Sequence, residues 1–160
     1  MGHSYFQALK DICPGGSGTL KGVRHLAVLA FLGLALAQPL AVPGWVRLVP
    51  PGVKDTAAYL TLENRGQVAL RLVGAETPVA QRVSLHREHR EHRGGHTVLG
   101  MRPLPHLDLP PGARVAFRPG GYHFMLEGLK RPLKAGEKVE LVLKFADGTR
   151  LRVVLPVEMR

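Results

Sequence analysis

Cysteine is all but missing from this chain: the sole example is Cys13, close to the start. Whatever is built from the later residues therefore has no thiol for a disulfide, a zinc–thiolate site or a blue-copper centre. Long apolar runs are also lacking. The uncharged stretch from Leu26 to Leu36 falls short of the ~20 residues that anchor a helix across a bilayer. No His-Glu-x-x-His pair, phosphate-binding glycine loop, paired carboxylates or activated nucleophile is present, so the chain is expected not to be an enzyme. No segment holds a helical period over three turns, and at 160 residues there is room for one domain with a proper core.

What the first forty residues do contain is a short export signature. Lys21 and Arg24 precede the apolar stretch, and Ala35-Leu36-Ala37 supplies small residues at the A-x-A positions, the pattern of a cleavable secretory signal. The "QPLAVPG" that follows cannot continue a helix. The expected organisation is a signal peptide at 23–37 and one domain at 38–160. Residues 1–22 are read as an over-extended gene start or cloning remnant, with translation beginning at Val23. Cleavage after Ala37 would leave a cysteine-free protein in the periplasm or another extracytoplasmic space, with no stable membrane insertion.

From Gln38 onward there are 19 basic and 11 acidic residues, a net charge of +8. The basic residues are scattered, without an aromatic-interleaved stripe or a nucleic-acid motif. A solvated surface is the better reading, and no nucleic-acid partner is expected. The same region breaks into short, partly alternating runs: "WVRLVPPG", "TAAYLTLEN", "ALRLVGAE", "QRVSLHR", "TVLGMRP", "ARVAFRPG", "YHFMLEG", "KVELVLKF" and "RLRVVLPV". Gly, Pro, Asn or Asp separates them, which argues for an all-β sandwich. "ENRGQ" and "ADGT" read as hairpin turns joining 56–63 to 69–76 and 138–145 to 151–157.

Histidine and methionine carry the chemistry. "HREHREHRGGH" (86–96) holds four of the six histidines after residue 37, and reads as a lengthened hairpin loop. In "GGYHFMLEGL" (120–129) a strand would turn Tyr122, Phe124 and Leu126 to the core and His123 with Met125 to the wet face. Imidazole and thioether are soft, neutral donors that suit Cu(I) and give little to Mg²⁺ or Ca²⁺. Thioethers also survive where thiols oxidise. Other readings stand beside this one. Met101, between Leu99 and Leu104, could be core filler, and a central strand can be buried on both faces. His106, among turn residues, reads as surface. The histidine-rich stretch could be merely solvated, or His92 and His96 could hold zinc, though no cysteine partner supports that.

With those residues stated, the chain resembles the periplasmic copper chaperone family that supplies the binuclear copper A centre of cytochrome c oxidase. The likeness runs from about Val53 to Val157, through "AAYLTLENRG", "LVGAETPVAQRVSLH", "MRP" and "LPPGARVAFRPGGYHFMLEGLKRPLKAGEKVELVLKF". The family's pattern is a histidine, a methionine, and after 21 residues a His-x-Met, and positions 102 to 122 separate Met101 from His123. Its first half differs here. The family commonly has ten residues between histidine and methionine, whereas positions 87 to 100 make about four more. The resemblance implies a cupredoxin-like Greek-key β-sandwich with an exposed Cu(I) site of His86, Met101, His123 and Met125. His89, His92 and His96 would compete for the metal or add a weaker site. It further implies a monomer that passes copper to the copper A domain of oxidase subunit II or to another copper chaperone. A general copper or zinc buffer using the histidine-rich loop, and a metal-free β-sandwich binding module, are the alternatives.

Overall fold

The computed structural model describes residues 36–160. Apart from its last two residues, the expected signal segment 23–37 lies outside the described residues, as does everything upstream. Every regular element among the described residues is a strand. In chain order these are β1 (Pro39–Arg47), β2 (Thr56–Asn64), β3 (Leu70–Glu76), β4 (Ala80–Arg93), β5 (His96–Leu104), β6 (Leu107–Leu109), β7 (Arg114–Ala116), β8 (Tyr122–Leu129), β9 (Lys138–Phe145) and β10 (Arg150–Glu158).

Alternation along these strands makes the core. In β9, Val139, Leu141, Leu143 and Phe145 are buried, while the residues between them reach solvent. Phe124 and Leu126 of β8 are fully buried, and Phe124 stacks on Phe117 with ring centres 4.6 Å apart. Each such side chain removed from water contributes about 1.5–3 kcal/mol. Pairing follows the order β5-β4-β8-β2-β1-β10-β9-β3-β6, with β7 added to β2. A further contact between β3 and β4 at Ala75↔Val83 joins the ends of the seven middle strands. The result is a sandwich closed along that seam, with β5 and β6 as outer strands. β1 and β10 run parallel; the other strand pairs are antiparallel.

The "ADGT" turn joins β9 to β10 as the sequence suggests, with Phe145 N–H donating to Thr149 O at 3.0 Å. "ENRGQ" does not make a hairpin. β2 pairs with β1, β7 and β8, and β3 with β4, β6 and β9, so this segment is a crossover. Its turn chemistry is nonetheless real: the buried Asn64 amide donates to Val68 O at 2.8 Å and Leu109 O at 3.0 Å, and its Oδ1 accepts from Gly66 N–H at 3.0 Å.

"HREHREHRGGH" does lengthen a hairpin, but as paired strand rather than as loop. It forms the outer half of a long β4–β5 hairpin, paired from Leu85↔Leu104 to Arg93↔His96. Gly94 and Gly95, at φ +55° and +83°, supply the two left-handed residues that a tight hairpin turn requires. Four residues beyond the family spacing thus become two more on each arm. An even extension preserves which face each side chain occupies, so the longer interval leaves His86 and Met101 on the same side of the hairpin.

Candidate metal centre

Register places all four expected donors on one face. β4 pairs with β8 at His86↔His123 and Ser84↔Met125, and with β5 at His86↔Pro103 and Glu88↔Met101. Residues directly opposite share a face, as do residues two apart on one strand. His86, Met101, His123 and Met125 therefore lie together on the face opposite Phe124 and Leu126. His86 and His123 are direct cross-strand neighbours, with ring centres 5.7 Å apart and planes tilted by 40°. Met125 is flanked by Ala57 and Ser84, both small, which leaves its thioether room to swing. It lines an open cleft with His86, Pro103, Asp55 and Glu127. Met101 stands diagonal to His86 on the outermost strand and is 57% exposed.

Burial departs from expectation at one residue. His123 is only 4% exposed, rather than on a wet surface. One step beyond the Ala58↔Phe124 pair, Tyr59 lies alongside it on the same face, itself buried and packed against Trp45 with ring centres 4.9 Å apart. Burial pushes the Tyr59 phenol up, opposed by the nearby Arg47 guanidinium. The centre is thus walled by aromatic side chains on the β2 side and open on the β5 side.

Hydrogen bonds decide which ring nitrogens remain available. His123 Nδ1 lies 3.3 Å from Gly121 O. A carbonyl only accepts, so Nδ1 carries the proton and Nε2 keeps its lone pair. His86 Nε2 is 2.9 Å from Ser84 Oγ, while His86 Nδ1 is buried without a hydrogen-bond partner. Burial, then the neighbouring His123, holds the His86 imidazolium pKa below its ordinary value, against the pull of Glu127. A neutral ring with an orphaned buried nitrogen fits a metal ion. A first-row metal sits about 2.0–2.1 Å from an imidazole nitrogen, so an ion shared by two rings needs centres within about 6 Å. The His86–His123 separation meets that condition, and two thioethers on the same face complete a soft, neutral donor set.

His89, His92 and His96 are divided between the two faces of the β4–β5 hairpin. By register, His89 and His96 share one face of the hairpin with Glu91, whereas His92 points to the other. His92 Nδ1 contacts Thr97 Oγ1 at 3.1 Å. The His89 ring covers Gly100 so closely that a Cβ there would come within 2.4 Å of it. Among the described residues, no group of three His, Cys, Asp or Glu side chains is placed to hold a metal ion. His106 is at the surface, 3.8 Å from Asp108. Ser84 and Glu127 were not singled out from the sequence. Their signal was available, since each lies two residues from an expected donor and hence on its face.

Residues 41–157 match the LpqE-like family, described as "Putative lipoprotein LpqE-like". The chain belongs to that family. A relative described as "Putative lipoprotein Lxx21020", from Leifsonia xyli subsp. xyli, is 35% identical over 114 residues, 71% of this chain and 66% of the relative's length. The Cu(I)-loaded solution structure of DR1885 from Deinococcus radiodurans is 38% identical, covering 80% of this chain and 83% of that one, with a TM-score of 0.59. The copper-bound PCuAC domain of PmoF2 is 21% identical and shares the fold, with a TM-score of 0.62 over 79% of this chain and 97% of that domain. This LpqE-like chain thus has the cupredoxin-like β-sandwich of the PCuAC domains, as the sequence implied.

Proposed function

We propose that the chain is an exported Cu(I)-binding metallochaperone that carries copper and delivers it by ligand exchange to the copper A centre of cytochrome c oxidase, directly or through another copper chaperone. The observation that carries this reading is the cross-strand pairing of His86 with His123 on the face that also bears Met101 and Met125. Support also comes from similarity to a protein solved with Cu(I) bound. Copper here is cargo. The imidazoles, His123 buried and His86 half-buried, would retain the ion while a partner's donors replace the thioethers, the exposed Met101 first, so that copper never enters water free.

Export to the periplasm agrees with the signal pattern and with the family's lipoprotein description. Acylation of a cysteine would have to use Cys13, because the residues after it contain none. The divided histidines of the β4–β5 hairpin speak against a buffer built on that segment.

Titrating the protein with Cu(I) against a competing chelator tests the reading. One-to-one binding should be weakened by Met125→Ala and indifferent to replacing His89, His92 and His96 together with alanine. Delivery is tested by mixing the loaded protein with an apo copper A domain and a source of the needed oxidation state. Growth of the acceptor's visible absorption supports transfer; its absence despite tight binding leaves storage in place of delivery.

A further inference from the structure

Next to the donors lies a chain of polar side chains that the donor set does not explain. Arg82, Ser84 and His86 project from β4 on the site face, opposite Glu127, Met125 and His123 of β8. Arg82 directs Nε and its terminal nitrogen to Glu127 Oε2, the former at 3.1 Å. Ser84 Oγ donates to the other carboxylate oxygen, Oε1, and lies 2.9 Å from His86 Nε2.

The order of donors along this chain is forced. A carboxylate held by a guanidinium only accepts, so the Ser84 hydroxyl must spend its single proton on Glu127. Its oxygen can then only accept, and the proton between Ser84 and His86 belongs to Nε2. A neutral imidazole has one N–H, so His86 Nδ1 bears the lone pair, and that nitrogen is the one buried without a partner. At His123 the assignment is reversed, because the Gly121 carbonyl fixes the proton on Nδ1. The two histidines thus offer unlike nitrogens to the space they share.

We infer that Ser84 and Glu127 are positioning residues that lock His86 into its Nε2–H tautomer, so that copper is bound through Nδ1 of His86 and Nε2 of His123. This rests on the proposed copper site. Outer partners of this kind fix ring orientation and tautomer, and their loss typically costs about 10–100-fold in metal affinity. Glu127 acts at one remove: with its carboxylate gone, the Ser84 hydroxyl is free to donate to Nε2 and permit the opposite tautomer.

Long-range ¹H–¹⁵N spectra of the ¹⁵N-labelled, metal-free protein read the tautomer without copper, and Cu(I) competition titrations read its consequence. Wild type should show His86 as Nε2–H. Ser84→Ala and Glu127→Ala should shift it toward a mixture and weaken Cu(I) binding about 10–100-fold, while Ser84→Thr should retain both tautomer and affinity. An Nδ1–H ring in wild type overturns the inference, and so does a Ser84→Ala protein unchanged in both readings. A Ser84→Thr variant that fails as Ser84→Ala does would reduce Ser84 to a packing role and equally overturn it. Wild type that takes up no Cu(I) overturns the proposed function, and this inference with it. Wild type that binds Cu(I) with Ser84→Ala its equal overturns the inference alone.

Discussion

Shortening the β4–β5 hairpin gives a direct test of the register on which the centre depends. Removing Glu91 and His92 from one arm and Thr97 and Val98 from the other deletes two cross-strand pairs. Arg93 then takes the place of Glu91 and keeps its face, the Gly94–Gly95 turn is untouched, and Met101 still opposes Glu88. The deleted side chains are exposed or half-buried, so stability should change by no more than about 0.5 kcal/mol, and Cu(I) affinity should match wild type. Deleting Leu99 alone is a smaller edit with a larger expected effect. Counting from the same turn, Met101 moves opposite His89 and onto the reverse face. Losing a donor should cost at least the roughly 10–100-fold that losing an outer partner costs. The assay is a Cu(I) competition titration on both deletion variants beside Met101→Ala, with urea melts to confirm folding. The register reasoning is refuted if the four-residue deletion binds as poorly as Met101→Ala, or if the single deletion binds as wild type does.

Two further outcomes concern the scaffold. Phe124, fully buried between His123 and Met125 in sequence and stacked on Phe117, should cost about 3–5 kcal/mol when replaced by alanine and less than about 1.5 kcal/mol when replaced by leucine, measured by urea denaturation of the metal-free protein. The Arg131 guanidinium, with help from Lys134 N–H, lowers the Glu137 carboxyl from 4.5 to about 2. A depressed folded-state value means its contribution is complete above pH 4.5 and fades as pH falls toward 2. Solvent screening limits it to about 1 kcal/mol, so Glu137→Gln should flatten that part of the stability–pH curve; an unchanged acid limb would refute the assignment.

Strand positions were legible wherever one face met the core. Val139, Leu141, Leu143 and Phe145 alternate with polar residues in the sequence and are the buried side chains of β9, and the same alternation announced Phe124 and Leu126. It also put His123 and Met125 on a common face. That the lengthened hairpin is paired strand was illegible for the complementary reason. Its His, Arg and Glu residues face solvent on both sides, so pairing there rests on backbone hydrogen bonds and the double-glycine turn rather than on an apolar pattern. Partner choice was equally hidden. Asn64 and Gly66 make local turn contacts whether the chain folds back or crosses over, and only the closed strand order settles which. The deep burial of His123 had no signal in its own strand, and its cross-strand neighbour by register, Tyr59, is far away in sequence.

The donors are divided among β5, β4 and β8, three consecutive members of the sheet. An ion held by all of them would work as a rivet through the sheet's open margin, where β5 has hydrogen-bonded support from β4 alone. Cargo and framework then report on each other. Amide protons of the outermost strand should exchange more slowly in the loaded protein, and release of the ion should be felt first as loosening of that strand.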